Sequence, residues 1–221
     1  MPDQSPSIAH GIKDSVGEIT LSNPQKHNAL DQDAWLAVPS AVNRLIASSA
    51  RAIVISGAGD SFCAGADISE FDVVRKNAET AVVYEDVNEK AFAAIRNAEV
   101  PTIAKIRGYC LGGGFGLAAA ADIRLADMSA TFSVPAARLG LGYPVDAMAD
   151  IVSAIGAQGA KRLLYTAERF SADQMHSMGF LAEVIDPDVL DARVAEMAAT
   201  IAELAPLTHV STKASIAFFI R

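Results

Sequence analysis

The chain has 221 residues, of which 51% are apolar, and a formal net charge of -8. That length suits one large domain or two small ones with a sizeable core. The acidic balance argues against nucleic-acid partners, because nonspecific binding of nucleic acid needs basic surface. No apolar run approaches the roughly 18 residues of a membrane span, and the polar start MPDQSPSIAH lacks a secretory signal, so we expect a cytoplasmic protein without a membrane partner.

Strand patterns recur at intervals along the first part of the chain. GEITLS, which begins at Gly17, is short, rich in β-branched residues and followed by turn residues, and it predicts a strand. The segments 51–59, 101–108 and 121–126 have the same character. Helical patterns separate these strands, and alternation of strands with helices predicts an α/β architecture.

Two helices are predicted between these strands. Asp31 is a candidate N-cap for the first of them, although Pro39 should kink or interrupt it. Its apolar face is expected to carry Trp35, Val38, Val42 and Ile46. The second helix covers residues 78–98, where apolar residues recur at helical spacing. They are Val82, Val83, Val87, Phe92 and Ile95.

The pattern becomes helical from Asp146 onward. Glycines at 156, 159 and 179 divide short helical segments, LAEVI predicts one more strand, and two further helices are predicted over 188–204 and 207–219. Without a linker or an internal repeat, we predict a single domain over 1–221, with an α/β core to about residue 145 and a helical remainder.

A glycine run stands between a predicted strand and a helix in GYCLGGGFGLAAAADIRLA, which begins at Gly108. A strand, a glycine turn and a helix start place free N–H groups and the positive end of the helix dipole together, and this favours a phosphate, a carboxylate or an oxyanion. Gly114, Gly116 and Ala119 match a dinucleotide-binding pattern, but residues 134–140 lack its acidic partner. Glycines that only allow close helix packing are the other alternative.

A second loop of the same kind, SGAGDSFCAGADISEF, follows the strand at 51–59. It is also small and glycine-rich, and it leads to a predicted helical turn at Asp67. Two such loops can direct two N–H groups at one oxygen atom.

Five blocks of the chain occur in the order and spacing of one family: ITLSNPQKHNALD, ISGAGDSFCAGADISEF, PTIAKIRGYCLGGGFGLAAAADIRLA, ATFSVPAARLGLG and AKRLLYTAERFSADQMHSMGFLAEVI. Over nearly its whole length the chain resembles the enoyl-CoA hydratase/isomerase (crotonase) superfamily. The resemblance implies an α/β, crotonase-like (ClpP/crotonase) fold of repeated β-β-α units with two nearly perpendicular sheets and a helical C-terminal part. It also implies a homotrimer or a dimer of trimers.

The resemblance further implies a ligand and a site. The ligand is an acyl-CoA thioester, so coenzyme A is part of the substrate and no separate cofactor is expected. Carried over from the family's motif by position, the backbone N–H groups of Ala66 and Gly113 form an oxyanion hole. The small residues around them allow the thioester oxygen to approach the backbone closely. For Lys26, a solvated loop lysine is the alternative to a phosphate contact. The expected substrate-binding residues are Lys26, His27, Ala29, Ala64, Asp67, Ile68, Leu111, Gly112, Pro135 and Ala136.

Two positions depart from the family pattern. Family hydratases use two glutamates, one shortly after the triple glycine and one in a downstream PE pair, and here those positions are Gly116 and Ala136. Neither side chain can transfer a proton, so the usual two-carboxylate hydration is in doubt. Tyr143 and Asp146 are the candidate replacements as catalytic residues. The alternatives are a ring that packs over the acyl pocket for Tyr143 and a helix N-cap for Asp146.

The remaining chemistry-bearing residues point to no other site. Cys63 and Cys110 are too few for a disulfide framework and are expected to be buried, inert thiols. The four histidines lack metal-ligand spacing, so we predict no metal site.

The predicted function is an enoyl-CoA hydratase/isomerase-family lyase or isomerase that stabilises a thioester enolate in fatty-acid or related acyl-CoA metabolism. Hydration, isomerisation, cleavage, decarboxylation and hydrolysis stay open as reactions. The alternatives from other classes are a non-catalytic acyl-CoA-binding or scaffold protein and a nucleotide-binding protein. Family chains usually continue beyond the point where this one ends in AFFIR, so we expect either that the sequence is truncated or that the coenzyme A site is unusually open.

Overall fold

A computed structural model describes residues 7–220, and the strands in this range form two sheets. The strands are β1 (Ser7–Lys13), β2 (Val16–Ser22), β3 (Ala52–Gly57), β4 (Thr102–Ile106), β5 (Tyr109–Leu111), β6 (Ile123–Asp127), β7 (Thr131–Ser133), β8 (Phe170–Ser171) and β9 (Glu183–Ile185). The larger sheet has the order β1-β2-β3-β4-β6-β9, and the smaller one has the order β5-β7-β8.

The larger sheet confirms the five predicted strands as β2, β3, β4, β6 and β9. From β2 to β9 all neighbours run parallel, and β1 adds to β2 as an antiparallel edge strand. β1 escaped prediction because its sequence, SIAHGIK, has no apolar face, and the strand is largely exposed. The strands of the smaller sheet escaped it because each has only two or three residues.

The helices are α1 (Gln32–Ala47), α2 (Phe71–Val74), α3 (Ala78–Arg96), α4 (Gly113–Ala120), α5 (Val145–Thr166), α6 (Ala172–Ser177), α7 (Leu190–Glu203) and α8 (Pro206–Ile220). Asp31 caps α1 as predicted, because its side chain accepts a hydrogen bond from the Ala34 amide at 2.8 Å. Of the two outcomes expected at Pro39, a kink or an interruption, the interruption was wrong, because α1 continues through the proline. Burial of a face that includes Trp35 and Val42 offsets the one lost backbone hydrogen bond.

The buried face of α3 differs from the predicted one. Val82 and Val83 are exposed, whereas Val87, Phe92 and Ile95 are buried as expected. The buried positions further along α3 include Tyr84 and Asn88. The prediction was wrong because it selected side chains by hydropathy, whereas the buried face of α3 also contains the polar side chains of Tyr84 and Asn88.

Each repeating unit of the fold consists of a strand of the larger sheet, then a short strand of the smaller sheet, and then a helix. The clearest example is β4, β5 and α4 in succession. Isolated parallel bridges extend the smaller sheet, because Cys63 pairs with Cys110 of β5 and Leu30 pairs with Ala66. Loops that follow strands of the larger sheet are therefore held together by backbone pairing.

Helices pack on both faces of the larger sheet. The main core contains Trp35 and Phe92 together with a ring cluster in which Phe115 and Phe180 stack at 4.3 Å. On the other face, α7 packs against Val54, Ile103 and Leu125. This placement leaves the edges of the smaller sheet next to α1, α3 and α4, where the candidate site lies.

The C-terminal part is helical, as expected. Gly156 has a non-helical conformation, with φ 68° and ψ 165°, and divides α5 into two segments. Several apolar side chains of α8 are exposed, among them Leu207, Phe218 and Phe219. Within residues 7–220 no helix combines the length and apolar character needed to cross a bilayer.

Candidate active site

The two glycine-rich loops lie side by side through backbone hydrogen bonds. The Cys63 amide donates to the Tyr109 carbonyl at 2.8 Å, and the Leu111 amide donates to the Cys63 carbonyl at 2.9 Å. Gly114 packs so closely on this contact that a Cβ atom there would lie 2.2 Å from the Cys63 carbonyl oxygen. For Gly114, the close-packing interpretation of the glycine run is therefore correct.

We use "amide pair" for the backbone N–H groups of Ala66 and Gly113. The pairing of Leu30 with Ala66 uses the Gly65 carbonyl and the Asp67 amide, which leaves the Ala66 amide on the opposite edge. Gly113 is the first residue of α4, where amides have no partner within the helix. Across residues 7–220, neither amide of the pair donates a hydrogen bond to another protein group.

Gly65 brings the two amides together. Its φ of 98° is a conformation that favours glycine, and a Cβ there would lie 3.0 Å from the Gly113 nitrogen and 2.9 Å from the Leu111 carbonyl oxygen. The peptide that joins Gly65 to Ala66 is thus next to the start of α4. Both Ala66 and Gly113 are half-buried, so a small group can reach them. A spot with two free amides and a helix N-terminus favours negative charge on an oxygen.

Aromatic side chains occupy the space beside Gly116. A Cβ at this position would lie 2.7 Å from the Tyr143 hydroxyl oxygen and 2.8 Å from Cζ of Phe92. The Tyr143 hydroxyl donates a hydrogen bond to the Gly112 carbonyl at 3.1 Å. Burial raises the pKa of Tyr143 above that of a free phenol, so the group is a neutral hydrogen-bond donor at neutral pH.

Ala136 lies in a 3-10 turn, Pro135–Arg138, that follows β7. Pro135 and Ala136 are half-buried, and Cδ of Pro135 lies 3.9 Å from the Cβ position of Gly112. Two of the expected substrate-binding residues on this side therefore lie near the glycine turn. Leu111 and Gly112 belong to the turn itself, and both are half-buried.

The expected coenzyme A contacts form a second group. Lys26 Nζ lies 2.6 Å from the Asp67 carboxylate and 3.1 Å from the Ser69 hydroxyl, so Lys26 and Asp67 are an ion pair. The pKa of Asp67 is lowered: burial opposes this shift, and the hydrogen bonds from Lys26 and Ser69 outweigh it. His27 and Ile68 are exposed, and the His27 carbonyl accepts from the Ala64 amide at 2.9 Å. Ala29 is buried.

Asp146 does not have the position expected for a helix cap. The N-cap of α5 is Pro144, and Asp146 lies in the first turn with an exposed side chain. It belongs to a charged cluster with Glu89, Arg96 and Asp150, in which Arg96 Nε contacts both Asp150 oxygens at 2.7 and 2.9 Å. Burial, followed by the charge of Asp146, raises the pKa of Glu89. These contacts explain Asp146 as part of the junction between α3 and α5.

The two cysteines are buried, as predicted, and neither forms a disulfide. Burial raises the pKa of the Cys63 thiol to about 12 and that of Cys110 well above its usual range. Cys63 Sγ accepts a weak hydrogen bond from the Gly65 amide at 3.4 Å. Both thiols are therefore packing groups, since the reactive thiolate is disfavoured. In the part of the chain that the structure describes, no set of three potential metal-ligating side chains is grouped together.

Sequence reasoning did not assign Trp35 and Phe92 to the site. A Cβ at Gly113 would lie 2.8 Å from Cη2 of Trp35, and the rings of Trp35 and Phe92 meet edge to face at 5.7 Å. The Trp35 ring thus borders Gly113, and the Phe92 ring borders Gly116. Both residues were predicted as core, and helical periodicity cannot show that a core side chain also borders a site.

Known proteins share the sequence pattern of this chain. The family model for enoyl-CoA hydratase/isomerase matches residues 11–218, and the chain belongs to that family. It is 31% identical over 205 residues to a crotonyl-CoA hydratase of Syntrophomonas wolfei, with 92% of this chain and 78% of that protein covered. It is 30% identical over 219 residues to a peroxisomal Delta(3,5)-Delta(2,4)-dienoyl-CoA isomerase of Arabidopsis thaliana, with 94% of this chain and 79% of that protein covered.

A solved structure shares the fold. The crystal structure of an enoyl-CoA hydratase/carnithine racemase from Magnetospirillum magneticum superposes with a TM-score of 0.93 at 34% identity. The match covers 97% of this chain and 81% of that one. The crotonase fold expected from the sequence is therefore confirmed.

Proposed function

We propose that this protein is an acyl-CoA enzyme that stabilises a thioester enolate with the amide pair of Ala66 and Gly113. The observation that carries the proposal is the convergence of two partnerless amides from distant loops beside the N-terminus of α4. Membership of a family whose characterised relatives include hydratases and isomerases of CoA esters supports the same ligand class.

The chemistry follows from the two donors. The thioester oxygen accepts a hydrogen bond from each amide, and both bonds strengthen as negative charge develops on that oxygen. The α4 dipole adds to this effect at its N-terminus. Each well-placed donor of this kind contributes about 3 to 4 kcal/mol to the transition state.

Tyr143 is the group that we assign to the position of the first family glutamate. With a raised pKa, it orients the acyl group as a neutral donor and does not act as a base. Gly116 and Ala136 cannot supply the two carboxylates of water addition. We therefore favour enolate-forming reactions other than hydration: cleavage or decarboxylation, in which the breaking carbon–carbon bond supplies the electrons of the enolate, and isomerisation or α-proton exchange in which solvent water accepts the proton.

Lys26 is the residue that we assign to a phosphate of coenzyme A. Its ammonium group is half-exposed and lies at the loop surface with Asp67 and Ser69. On binding, a phosphate would replace or share the Asp67 partner, and the small residues Ala29 and Ala64 of the neighbouring loops would leave room for the pantetheine arm. We also propose the assembly that the family resemblance implies, a homotrimer or a dimer of trimers.

Exchange of the α proton tests enolate formation directly. The protein is incubated in heavy water with a panel of acyl-CoA thioesters, and deuterium at the α carbon and any product are followed by mass spectrometry. We expect exchange or turnover with at least one thioester.

The second candidate is a non-catalytic acyl-CoA-binding protein, which the loss of both glutamates favours. Binding of CoA esters without exchange or conversion across the panel would establish that candidate and overturn the enzymatic proposal.

A further inference from the structure

The segment that leads into α1 is bonded directly to one donor loop of the amide pair. The Leu30 amide donates to the Gly65 carbonyl, and the Leu30 carbonyl accepts from the Asp67 amide, both at 2.8 Å. These two hydrogen bonds lie on either side of Ala66 along the chain. The start of α1 therefore fixes the position of the Ala66 peptide through the backbone.

The first turn of α1 also reaches the other donor, through the side chain of Trp35. The Cβ position of Gly113 lies 2.8 Å from Cη2 and 2.9 Å from Cζ2 of Trp35, and 3.7 Å from Cα of Gly65. Because glycine has no Cβ atom, the indole ring packs directly on the backbone of Gly113. Gly113 is thus enclosed between the Trp35 ring and the glycine that precedes Ala66.

The Trp35 ring is itself held in place from the side of α3. It is fully buried, and the Phe92 ring meets it edge to face at 5.7 Å. The Tyr84 hydroxyl shares hydrogen bonds of irregular geometry with the side chains of Trp35 and Asn88. Close-packed interiors transmit displacements, so a movement of this ring would move Gly113 with it.

The Gly113 amide needs such a constraint from outside its own segment. Within residues 7–220 it has no protein acceptor that would fix its direction. The residue before it, Gly112, has a φ of 51°, and glycine has more conformational freedom than any other residue. Two donors stabilise one oxygen only when both lie within hydrogen-bonding distance of it, so the spacing of the amide pair has to be held by the surrounding packing.

We propose that Trp35 is a positioning residue for the amide pair: its ring holds the Gly113 amide at the spacing from the Ala66 amide at which one thioester oxygen accepts from both. The inference rests on the proposed function, since it assumes a thioester at the amide pair. Trp35 acts through Gly113 and has no role as an acid or a base. Because the two hydrogen bonds strengthen as charge develops, a misplaced donor lowers the rate of enolate formation more than the affinity for the thioester.

Trp35→Phe tests the inference, because it keeps an aromatic core side chain and removes the ring atoms that contact Gly113. We expect α-proton exchange at saturating thioester to fall by about 10- to 100-fold, with little change in the dissociation constant. Infrared difference spectra are recorded with butanoyl-CoA and octanoyl-CoA that are isotope-labelled at the thioester carbon. The carbonyl stretch of the bound ester should move back toward its frequency in water, since its oxygen is less polarised in the variant.

A double-mutant cycle tests the contact between Trp35 and Gly113. Gly113→Ala adds a methyl group that collides with the indole ring in the unsubstituted protein, whereas in Trp35→Phe the methyl group occupies vacated space. Gly113→Ala should therefore lower the exchange rate much less in the Trp35→Phe background than in the unsubstituted protein.

Leu190→Ala is the control for a general loss of stability, because Leu190 is a buried core residue of α7 on the other face of the larger sheet. It should lower the urea midpoint and leave the exchange rate and the carbonyl frequency unchanged. A Trp35→Phe protein with the exchange rate and carbonyl frequency of the unsubstituted protein, or additive effects in the cycle, would overturn the inference alone. If the unsubstituted protein binds neither ester and no other acyl-CoA, the proposed function and the inference fail together.

Discussion

The amide pair and the space beside Gly116 are neighbouring regions of one site, and they are built in opposite ways. The amide pair consists of backbone groups that two loops hold together through main-chain hydrogen bonds. Beside Gly116, side chains from α3 and from the loop before α5 fill the position where family hydratases carry a glutamate. The difference teaches that main-chain donors are kept when side chains change, whereas a side-chain acid or base is lost with a single residue.

The largest expected effect comes from the removal of one amide. Gly113→Pro deletes the N–H group, and we expect α-proton exchange to fall by about 100- to 1,000-fold relative to a matched variant. Gly113→Ala is that match, because it keeps the amide and introduces the same Cβ contact with Trp35. Equal exchange rates in the two variants would remove the amide pair from the proposed mechanism.

The next largest effect concerns protein stability, through the crowded space beside Gly116. Gly116→Ala places a Cβ within 3 Å of Tyr143 and Phe92, and we expect it to lower the free energy of unfolding by about 1 to 3 kcal/mol. Urea denaturation measures the change. Gly142→Ala is the control, because nothing lies within 4 Å of its Cβ position.

Phe92→Leu in the Gly116→Ala background should restore part of the lost stability, since the smaller side chain leaves room for the new methyl group. A Gly116→Ala protein as stable as the control would contradict the crowded arrangement.

Two buried weak acids, the Cys63 thiol and the Tyr84 phenol, predict that the free energy of unfolding falls at alkaline pH. Cys63, beside the amide pair, has its pKa raised from 9.0 to about 12, and Tyr84, beside Trp35, has its pKa raised from 10.0 to about 12. Above pH 9 the unfolded chain loses these protons while the native state keeps them, so the free energy of unfolding falls as pH rises toward 12.

Urea midpoints between pH 8 and pH 11 measure this slope. Cys63→Ala should flatten it, and Tyr165→Phe, which changes an exposed side chain, is the control that should leave it unchanged. Midpoints that stay constant over this range would show that burial does not hold these protons.

The smallest expected effect separates the hydroxyl of Tyr143 from its ring. Tyr143→Phe keeps the packing over Gly116 and removes one neutral hydrogen bond, so we expect α-proton exchange to fall by roughly 3- to 10-fold. An unchanged rate would leave only the packing interpretation of this ring, and a loss as large as that of Gly113→Pro would make Tyr143 a proton carrier.

Sequence patterns were sufficient for the parts of the molecule that repeat locally. Five strands of the larger sheet, the Asp31 cap and the break at Gly156 all follow from short-range rules. The resemblance implied both residues of the amide pair, and the coordinates place their loops together. Hydrophobic periodicity could not predict β5, β7 and β8, because a strand of two or three residues is too short to show alternation.

What the sequence could not show was the contact between distant side chains. Gly116 identifies an absent glutamate, but only the packing of α3 and of the loop before α5 against α4 reveals that Phe92 and Tyr143 fill its space. The same holds for Tyr84 and Asn88, which are ordinary helix-surface residues by composition and become exceptional through burial.

The bridges that join Leu30 to Ala66 and Cys63 to Cys110 have a consequence for tolerance to mutation. Segments paired in this way are about 4.8 Å apart, so the loops that carry the two donors are held beside each other at the repeat distance of a sheet. Substitutions in these loops that keep Gly65 and Gly114 should then leave the spacing intact, whereas a one-residue insertion before Ala66 or Gly113 should move one donor out of register with the other.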